Sequence, residues 1–340
     1  MRTPDSIIGD SAALAAALEQ VSRLATVNRP VLVLGERGTG KELAAERLHY
    51  LSPRWDAPLV KVNCAAMAES LLESELFGHE AGAFTGATRA HRGRFERADG
   101  GTLFLDEVGT MSPRLQEKLL RLVEYGEFER LGGHDTLRVD VRVVAATHAD
   151  LRQMAAAGEF RHDLLDRLSF DVVHLPALRQ RTEDIPLLAD HFAVQMSAEL
   201  GWELFAGFTE TALEALQAHR WPGNIRELKN AVERSLHRWE DAAEPVANIV
   251  IDPFVSPFAD ALEVLPSSEG PGEPQPPAGP ARDFATRLAE IEKQLLEEAL
   301  AENGHNQRRT ADALGLSYDQ LRGMVRKHGL GGRRRGRKAT

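Results

Sequence analysis

The stretch PVLVLGERGTGKELAAERLHYL, residues 30–51, decides the fold of this chain. Its first residues form an apolar run typical of a short buried strand, and its last residues repeat apolar positions at helical spacing. Between them, GERGTGK matches the phosphate-binding pattern G-x-x-x-x-G-K. Glycines let backbone N–H groups turn toward phosphates, and the N-terminus of the following helix favours anions. The stretch predicts a nucleotide site on an α/β sheet, and its alternative is a plain glycine turn before a helix.

Lys41 is expected to bring a positive charge to the β and γ phosphates of ATP. A serine or threonine usually follows this lysine and helps to hold magnesium, but Glu42 stands here, so the metal must rely on other groups. The predicted ATP contacts of this loop are Gly35, Glu36, Arg37, Gly38, Thr39, Gly40, Lys41 and Glu42.

A second buried strand ends in two acids. In GGTLFLDE, residues 100–107, four apolar or small residues precede Asp106 and Glu107. The carboxyl ends of such strands are where ligands of open α/β sheets bind. We therefore predict that Asp106 holds Mg²⁺, directly or through water, and that Glu107 polarises the attacking water. The alternative is an ordinary strand end.

Strand and helix patterns alternate as far as residue 176, which favours a parallel sheet with helices on both faces. Strand signals then stop, and helical patterns at 184–198 and 209–239 predict an all-helical region. The remaining predicted strands are PLVKVNC at 58–64, LRVDVRVVAAT at 137–147 and FDVVHLP at 170–176.

Composition sets the broad class. The chain has 340 residues with 43% hydrophobic and 27% charged residues, typical of globular proteins. No apolar run approaches the roughly 18 residues that span a membrane, and MRTPDSIIGD has no signal-peptide pattern. The single cysteine, Cys64, excludes an intrachain disulfide and fits a reducing compartment. We predict a cytoplasmic protein.

Charge is concentrated at the C-terminal end. The net charge is −10, but residues 304–340 contain ten Lys/Arg and two Asp, so the rest of the chain carries −18. A basic end on an acidic body predicts a nucleic-acid contact there, and the alternative is a solvated charge run. Within this end, residues 306–327 read as helix, turn, helix, with Gly315 in the turn and Ser317 as N-cap.

The second of these helices is expected to enter the major groove of DNA. The apolar positions at helical spacing are Ala311, Leu314, Leu316, Leu321 and Val325. The preceding pattern at 283–303 is expected to pack as a dimer helix, which implies a palindromic site. The alternative is a helical dimerisation hairpin. The predicted DNA contacts are Arg308, Arg309, Tyr318, Gln320, Arg322, Arg326 and Lys327, with the tail 333–338 on phosphates.

The segment AGAFTGA, residues 81–87, has no charge yet lies between charged flanks, which predicts an exposed loop that contacts a partner. GAFTGA, with the neighbouring ELFGHE and GRFERADGG, resembles the AAA+ activators of sigma-54 RNA polymerase, the bacterial enhancer-binding proteins. The resemblance runs from residue 5 to about residue 250. It implies that this loop touches sigma-54 through Gly82, Ala83, Phe84, Thr85, Gly86 and Ala87.

The resemblance implies a fold and a domain order. The fold class is α/β, an AAA+ parallel-sheet ATPase with a helical lid, followed by a Fis-type helix-turn-helix. No receiver or sensor domain is expected ahead of the ATPase. The expected boundaries are 1–175 for the ATPase subdomain, 176–252 for the lid, 253–282 for a Pro/Gly/Ser-rich linker, 283–330 for the helix-turn-helix and 331–340 for a basic tail.

Further site residues follow from the resemblance. Asn63 corresponds to the switch asparagine that holds Glu107 away from water. Arg161 and Arg167 correspond to arginine fingers that reach a neighbouring subunit's nucleotide, which implies a ring, expected to be a hexamer. Both arginines have an alternative as surface ion pairs, with Asp163 and Asp166.

Three more residues are matched to the family's sensors. Arg226 corresponds to the second sensor arginine, whose alternative is a salt bridge with Glu227. Thr147 fits the first sensor, but His148 stands where members of the family that this chain resembles carry asparagine. Because histidine titrates near neutral pH, we predict that turnover is sensitive to mild acid.

A second loop, EYGEFERLGGHDTLRVD at 124–140, is predicted to be a β-hairpin that supports the GAFTGA loop, with Arg130 and Gly132–Gly133 at its tip. An ordinary hairpin is the alternative. Trp55, in a proline-flanked loop, is a candidate contact for a separate regulatory protein, and its alternative is a partly buried ring.

These patterns predict an ATP- and Mg²⁺-dependent transcription activator that binds enhancer DNA and remodels the closed complex of sigma-54 polymerase. Two rivals come from other classes. One is an AAA+ protein remodeller, which the helix-turn-helix and GAFTGA oppose. The other is a repressor with an inactive ATPase, which Lys41, Asp106 and Glu107 oppose.

Overall fold

The computed structural model describes residues 7–239, 241–254, 292–297, 299–301, 303, 306–328 and 330. The chain divides into two compact units, Met1–Pro257 and Phe258–Thr340. Most of the predicted linker at 253–282 and all of the predicted tail at 331–340 lie outside the described residues. Among the residues that are described, no helix is both long and apolar enough to cross a membrane.

A five-stranded parallel sheet lies at the centre of the first unit. Its order is β2-β3-β6-β1-β7, and all of its pairs are parallel. Strands β1, β3 and β6 are buried along most of their length, as a sheet covered on both faces requires. The α/β fold class is therefore confirmed. The strands are β1 Val31–Leu34, β2 Leu59–Asn63, β3 Thr102–Asp106, β6 Arg142–Thr147 and β7 Val172–His174.

Helices cover both faces of this sheet and enclose two apolar cores. One core packs α1 and α2 against β1 and β6, and the larger one packs α3, α5 and α7 against β2 and β3. The helices of this part are α1 Ala12–Ala25, α2 Lys41–Tyr50, α3 Glu69–Phe77, α4 Arg94–Arg97, α5 Pro113–Tyr125, α6 Leu151–Ala156 and α7 His162–Leu168.

The strand predicted at 137–147 was wrong as a single element. Residues Thr136–Arg138 form β5, which pairs with β4, Glu127–Glu129, as an antiparallel hairpin outside the main sheet. The chain leaves this hairpin at Asp140, whose carbonyl accepts hydrogen bonds from Gly100 N and Arg54 Nη1. Those hydrogen bonds end the pairing of β5 with β4 before β6 begins. The alternation of apolar residues in the sequence nevertheless continues from β5 into β6.

The all-helical region contains α8 Asp184–Glu199, α9 Glu210–Ala218 and α10 Asn224–His237. The predicted helix at 209–239 is therefore two helices. They separate at Trp221–Asn224, where Pro222 lies between two residues of positive φ, 50° and 53°. The Trp221 ring is fully buried and donates from Nε1 to Leu216 O at 2.7 Å, which fixes this turn in the core.

The second unit has helical residues at 292–297 and 299–301, followed by α11 Gln307–Ala313 and α12 Tyr318–Lys327. Its core packs Leu321 and Val325 of α12 against Leu296 and Leu300. Leu314 lies in the turn and is 39% exposed. Ser317 N-caps α12 in a capping box with Gln320, as its position predicts.

The carboxylate of Asp184, in the lid, is hydrogen-bonded to Asp10 and Ser11, which precede α1. Asp184 is fully buried and accepts from Asp10 N at 2.8 Å and from Ser11 N at 2.9 Å through Oδ1. Its Oδ2 accepts from Ser11 Oγ at 2.6 Å. An ionised carboxylate only accepts hydrogen bonds, and this one accepts three. Replacing either of its oxygens should therefore weaken the contact.

We expect Asp184→Asn to lower the free energy of unfolding by about 2 kcal/mol, because an amide cannot accept on both sides and buries an unpaired donor. Urea unfolding of the full chain, followed by tryptophan fluorescence, measures the change. Glu183→Gln is the matched control, since Glu183 is exposed next to it. Equal unfolding midpoints for the two variants would contradict this account.

Candidate functional site

The phosphate loop joins β1 to α2 with two residues in left-handed backbone. Gly38 and Gly40 have φ of 78° and 94°, a region that favours glycine, and Gly40 is the N-cap of α2. Lys41 begins the helix, and its buried ammonium donates to Gly35 O at 3.0 Å and Glu36 O at 3.2 Å. The lysine charge and the helix N-terminus therefore meet the loop backbone at one place.

Several predicted site residues act on Lys41 electrostatically. Burial lowers the pKa of Lys41, and the carboxylates of Glu107 and Asp106 oppose that shift. Arg226 and Arg37 lower the pKa further by charge repulsion. The fold thus gathers the lysine, the acidic pair and the lid arginine around one centre, although they come from three separate parts of the sequence.

The lid contacts the phosphate loop through the turn before α10. Asn224 Nδ2 donates to Arg37 O at 3.0 Å, and Ile225 N donates to Gly38 O at 3.0 Å. A Cβ on Gly38 would lie 2.2 Å from Gly223 O, so only glycine permits this approach. Lid position and loop conformation are therefore coupled by direct backbone contact.

Glu36 adds hydrogen bonds between the phosphate loop and the lid, and the sequence did not predict them. Its carboxylate pairs with both terminal nitrogens of Arg179, at 2.8 and 2.5 Å, and accepts from Asn224 Nδ2 at 3.1 Å. The Arg179 and Asn224 hydrogen bonds lower the pKa of Glu36 to about 2. The charged residue inside the loop is thus held by the lid, a role that the loop pattern alone cannot predict.

Asp106 closes β3 in a mostly buried position. Burial, followed by the charge of Glu107, raises the pKa of Asp106. Its Oδ2 accepts from Asn63 Nδ2 at 3.2 Å, while its buried Oδ1 has no hydrogen-bond partner among the described residues. An oxygen of this kind is free to accept a cation.

Asn63 differs from its expected role in this structure. Its amide bonds to Asp106, as above, and its Oδ1 accepts from Ala65 N at 2.9 Å. Glu107, at a left-handed φ of 56°, instead lies 2.7 Å from His148 Nδ1 through Oε2. The reason is register, since Asn63 pairs directly with Asp106 across the β2–β3 ladder.

Thr147 is fully buried, and its Oγ1 accepts from Ala149 N at 3.0 Å. The next side chain, His148, is therefore the part of the predicted first sensor that reaches the acidic pair. Glu42, which replaces the usual hydroxyl residue, is bound by Lys61 Nζ at 2.8 Å together with Glu46. Its carboxylate is thereby engaged on the outside of α2.

The two candidate finger arginines are in ion pairs within the chain. Arg161 donates to Asp163 at 3.0 and 2.7 Å, as its alternative predicts. Arg167 donates to Glu124 at 2.6 Å and not to the Asp166 that the sequence suggested. Their side chains are 40% and 56% exposed, so both face the surface.

The GAFTGA loop is exposed at its tip and closed at its base. Gly82 N donates to Ala87 O at 2.7 Å, and a Cβ on Gly82 or Gly86 would meet nothing within 4 Å. Thr85 is exposed, and Phe84 is 48% exposed. The rings of Phe84 and His79 meet edge to face, with their centres 4.9 Å apart. Ala87 is buried, so the exposed surface ends one residue before the predicted contact set does.

The β4–β5 hairpin lies against the base of this loop, as predicted. Arg130 binds Glu96 at 2.9 and 2.6 Å and Glu80 at 2.7 Å, which raises the pKa of the arginine. Gly132 lies so close to the loop that an added Cβ would be 2.8 Å from Ala83 Cβ. Glu80 and Glu96 stand in ELFGHE and GRFERADGG, but their shared arginine is not evident from sequence.

Trp55 is 63% exposed, which excludes the partly buried ring in this structure. Tyr50 and Leu51 at the end of α2 are also about half exposed, at 52% and 47%. All three are therefore exposed apolar side chains. Across the described residues, no group of three or more His, Cys, Asp or Glu is arranged to hold a metal.

In the second unit, the predicted DNA contacts fall into two groups. Gln320 Oε1 accepts from Ser317 N at 2.9 Å, and Lys327 Nζ binds Glu292 at 2.7 Å, so both are engaged within the unit. Arg308 places its guanidinium 5.8 Å from the Tyr318 ring centre. Tyr318, Arg322 and Arg326 follow at i, i+4 and i+8 and are exposed, which places them on one face of α12.

Comparisons with known proteins place this geometry in a family. The profile of the sigma-54 interaction domain matches residues 7–174. Profiles of an AAA+ ATPase lid domain and of bacterial regulatory proteins of the Fis family match residues 179–243 and 287–324. The Psp operon transcriptional activator of Escherichia coli strain K12 is 54% identical over 325 residues, 95% of this chain and 98% of that protein. The chain belongs to the sigma-54 activator family.

Two further relatives agree. The Nif-specific regulatory protein of Azotobacter vinelandii is 52% identical over 69% of this chain, which spans 45% of that protein. A crystal structure of NtrX from Brucella abortus in complex with ATP has a TM-score of 0.66 at 34% identity, covering 96% of this chain and 70% of that one. As a sigma-54 activator, the chain is an AAA+ ATPase with a DNA-binding Fis-type domain, which confirms the predicted fold class, activity and family.

We expect Gly132→Ala in this sigma-54 activator to impair activation while ATP hydrolysis stays within about twofold. The added methyl group meets Ala83, and the residue has a φ of 71°, so the hairpin must shift away from the loop. Transcription from a sigma-54 promoter and phosphate release measure the two activities. Gly133→Ala is the control, because its Cβ would come no closer than 3.2 Å to its nearest neighbours, the Glu80 side chain and Arg130. Full activation by Gly132→Ala would refute the coupling.

For DNA binding, we expect Arg322→Ala to weaken binding to a specific site more than to random DNA, because Arg322 lies on the exposed face of α12. Lys327→Ala should change both affinities little, since that lysine is paired with Glu292. Equilibrium binding to both DNAs at one salt concentration tests this. A larger loss for Lys327→Ala would overturn the assignment.

Proposed function

We propose that this chain activates transcription by binding enhancer DNA and remodelling the closed complex of sigma-54 RNA polymerase with energy from ATP hydrolysis. One observation carries the proposal, namely an uncharged loop with Phe84 and Thr85 exposed on a base fixed to the β4–β5 hairpin. The similarity to the Psp operon activator supports the phage-shock operon as its target, and another operon is the alternative.

The nucleotide site supports the binding of ATP with Mg²⁺. The loop from Gly35 to Glu42 and Thr147 would surround the phosphates, with Lys41 as the cation. Asp106 Oδ1, buried and without a partner among the described residues, fits a hard cation that takes oxygen ligands. Bound Mg²⁺ would neutralise phosphate charge, and Asp106 would hold it, directly or through water.

Hydrolysis needs a group that orients water, and we assign it to Glu107. Its carboxylate emerges at the end of β3, next to Asp106, and its side chain is only 13% exposed. Arg226 would follow the lid onto the phosphates, since the preceding Asn224 and Ile225 already bond to the phosphate loop. Asn63 would act on the acidic pair through Asp106.

Arg161 and Arg167 would complete the site in a neighbouring subunit. Both are on the surface and about half exposed, and each is held by a single carboxylate that a phosphate could replace. This role supports a ring, and family resemblance favours a hexamer. The bonds to Asp163 and Glu124 would then form in the separate subunit.

Two other partners follow. Trp55 is an exposed apolar side chain that suits contact with a regulatory protein, and the phage-shock inhibitor PspA is the candidate. In the DNA-binding domain, Arg308, Arg309, Tyr318, Arg322 and Arg326 are exposed and would contact the enhancer. A dimer of this domain, with the linker at 253–282, would connect the ring to a palindromic site.

The deciding experiment uses Thr85→Ala. We expect open-complex formation on a sigma-54 promoter with ATP to fall at least about tenfold, while ATP hydrolysis is retained, because Thr85 is exposed at the loop tip and far from the phosphates in sequence. Thr88→Ala is the matched control, since Thr88 is exposed just outside the loop. Full activation by Thr85→Ala would refute the role of the loop.

A further inference from the structure

The side chain of His148 is hydrogen-bonded to the carboxylate of Glu107. Its Nδ1 lies 2.7 Å from Glu107 Oε2, within the range of a charge-assisted hydrogen bond. An ionised carboxylate only accepts, so Nδ1 must carry the proton of this bond. The tautomer of His148 is thereby set by Glu107, which leaves Nε2 free of that proton in the neutral ring.

The backbone around the pair makes this contact specific. Glu107 has a left-handed φ of 56°, and Thr110 N and Oγ1 both donate to its carbonyl at 3.0 and 2.8 Å. His148 directly follows β6, which pairs with β3 in parallel register, Asp106 opposite Ala146. The two side chains therefore come from neighbouring strand ends that the sheet holds at fixed spacing.

The expected holder of Glu107 is engaged elsewhere. Asn63 donates to Asp106 at 3.2 Å, and its other amide atom accepts from Ala65 N. Thr147 Oγ1 is likewise turned to Ala149 N. Of these three neighbouring polar side chains, His148 alone bonds to the Glu107 carboxylate in this structure.

We propose that His148 is the positioning residue that orients the Glu107 carboxylate in this ATPase, acting through its Nδ1–H. The proposal rests on the proposed role of Glu107 in hydrolysis. The Nδ1 atom of histidine and the amide nitrogen of asparagine are both bonded to Cγ. Asparagine at position 148 would therefore place a hydrogen-bond donor on the same carbon atom of the side chain. Leucine also branches at Cγ, but it carries no donor there.

The test compares His148→Leu and His148→Asn in the full chain. We expect kcat of His148→Leu to fall at least about tenfold with little change in KM, because an oriented base acts mainly on the chemical step. His148→Asn should restore kcat to within about threefold. ADP binding measured by calorimetry should match wild type in both variants, which shows that the site is folded.

A second readout does not depend on turnover. In nucleotide-free protein with labelled histidine, the Nδ1–H of His148 should give a downfield, exchange-protected NMR signal. That signal should disappear in Glu107→Ala and persist in Asn63→Ala. Wild-type kcat in His148→Leu, or loss of the NMR signal only in Asn63→Ala, would overturn the proposal. Glu107→Ala separately tests the role of Glu107, since retained turnover there would contradict the proposed function instead.

Discussion

The parallel register of the central strands is the constraint on which the site depends. Leu34 at the end of β1 lies opposite Thr147, and Asp106 lies opposite both Asn63 and Ala146. Because parallel strands end at the same edge, this register brings together residues that are up to 113 positions apart in sequence, from the phosphate loop to His148. A shift of one residue would reverse which face each side chain meets and separate the lysine from the acids.

The edge of the sheet is also connected to the exposed loops through two helices. Ser112, the N-cap of α5, bonds to Glu69 at the start of α3, and Glu73 of α3 pairs with Arg114 and Lys118 of α5. Helix α3 leads into the GAFTGA loop, and α5 leads into the β4–β5 hairpin. Arg130 and Gly132 of the hairpin contact Glu80 and Ala83 at the base of the GAFTGA loop. Helices α3 and α5 therefore both connect the edge of the sheet to the base of this loop.

Local patterns predicted the parts of this molecule that local physics determines. The phosphate loop, the acidic strand end and the helix-turn-helix each depend on short-range requirements, such as glycine at positive φ or a Ser317 N-cap, and they were identified from sequence. Contacts between distant segments were not. The alternation across 137–147 hides the break at Asp140, and the partners of Arg130 and Glu36 lie 34 to 188 residues away.

The same distinction applies to Asn63, whose amide is hydrogen-bonded to Asp106 and not to the Glu107 carboxylate. Resemblance assigns a role to a position, but a hydrogen bond depends on which side chain the register and rotamer bring within 3 Å. Asn63 is short and directly opposite Asp106, so its amide is satisfied there. The imidazole of His148 approaches Glu107 from the next strand, and its 2.7 Å contact replaces the bond that the amide does not make. The group that holds the reactive carboxylate thus depends on the whole hydrogen-bond network around it, and not on the motif position alone.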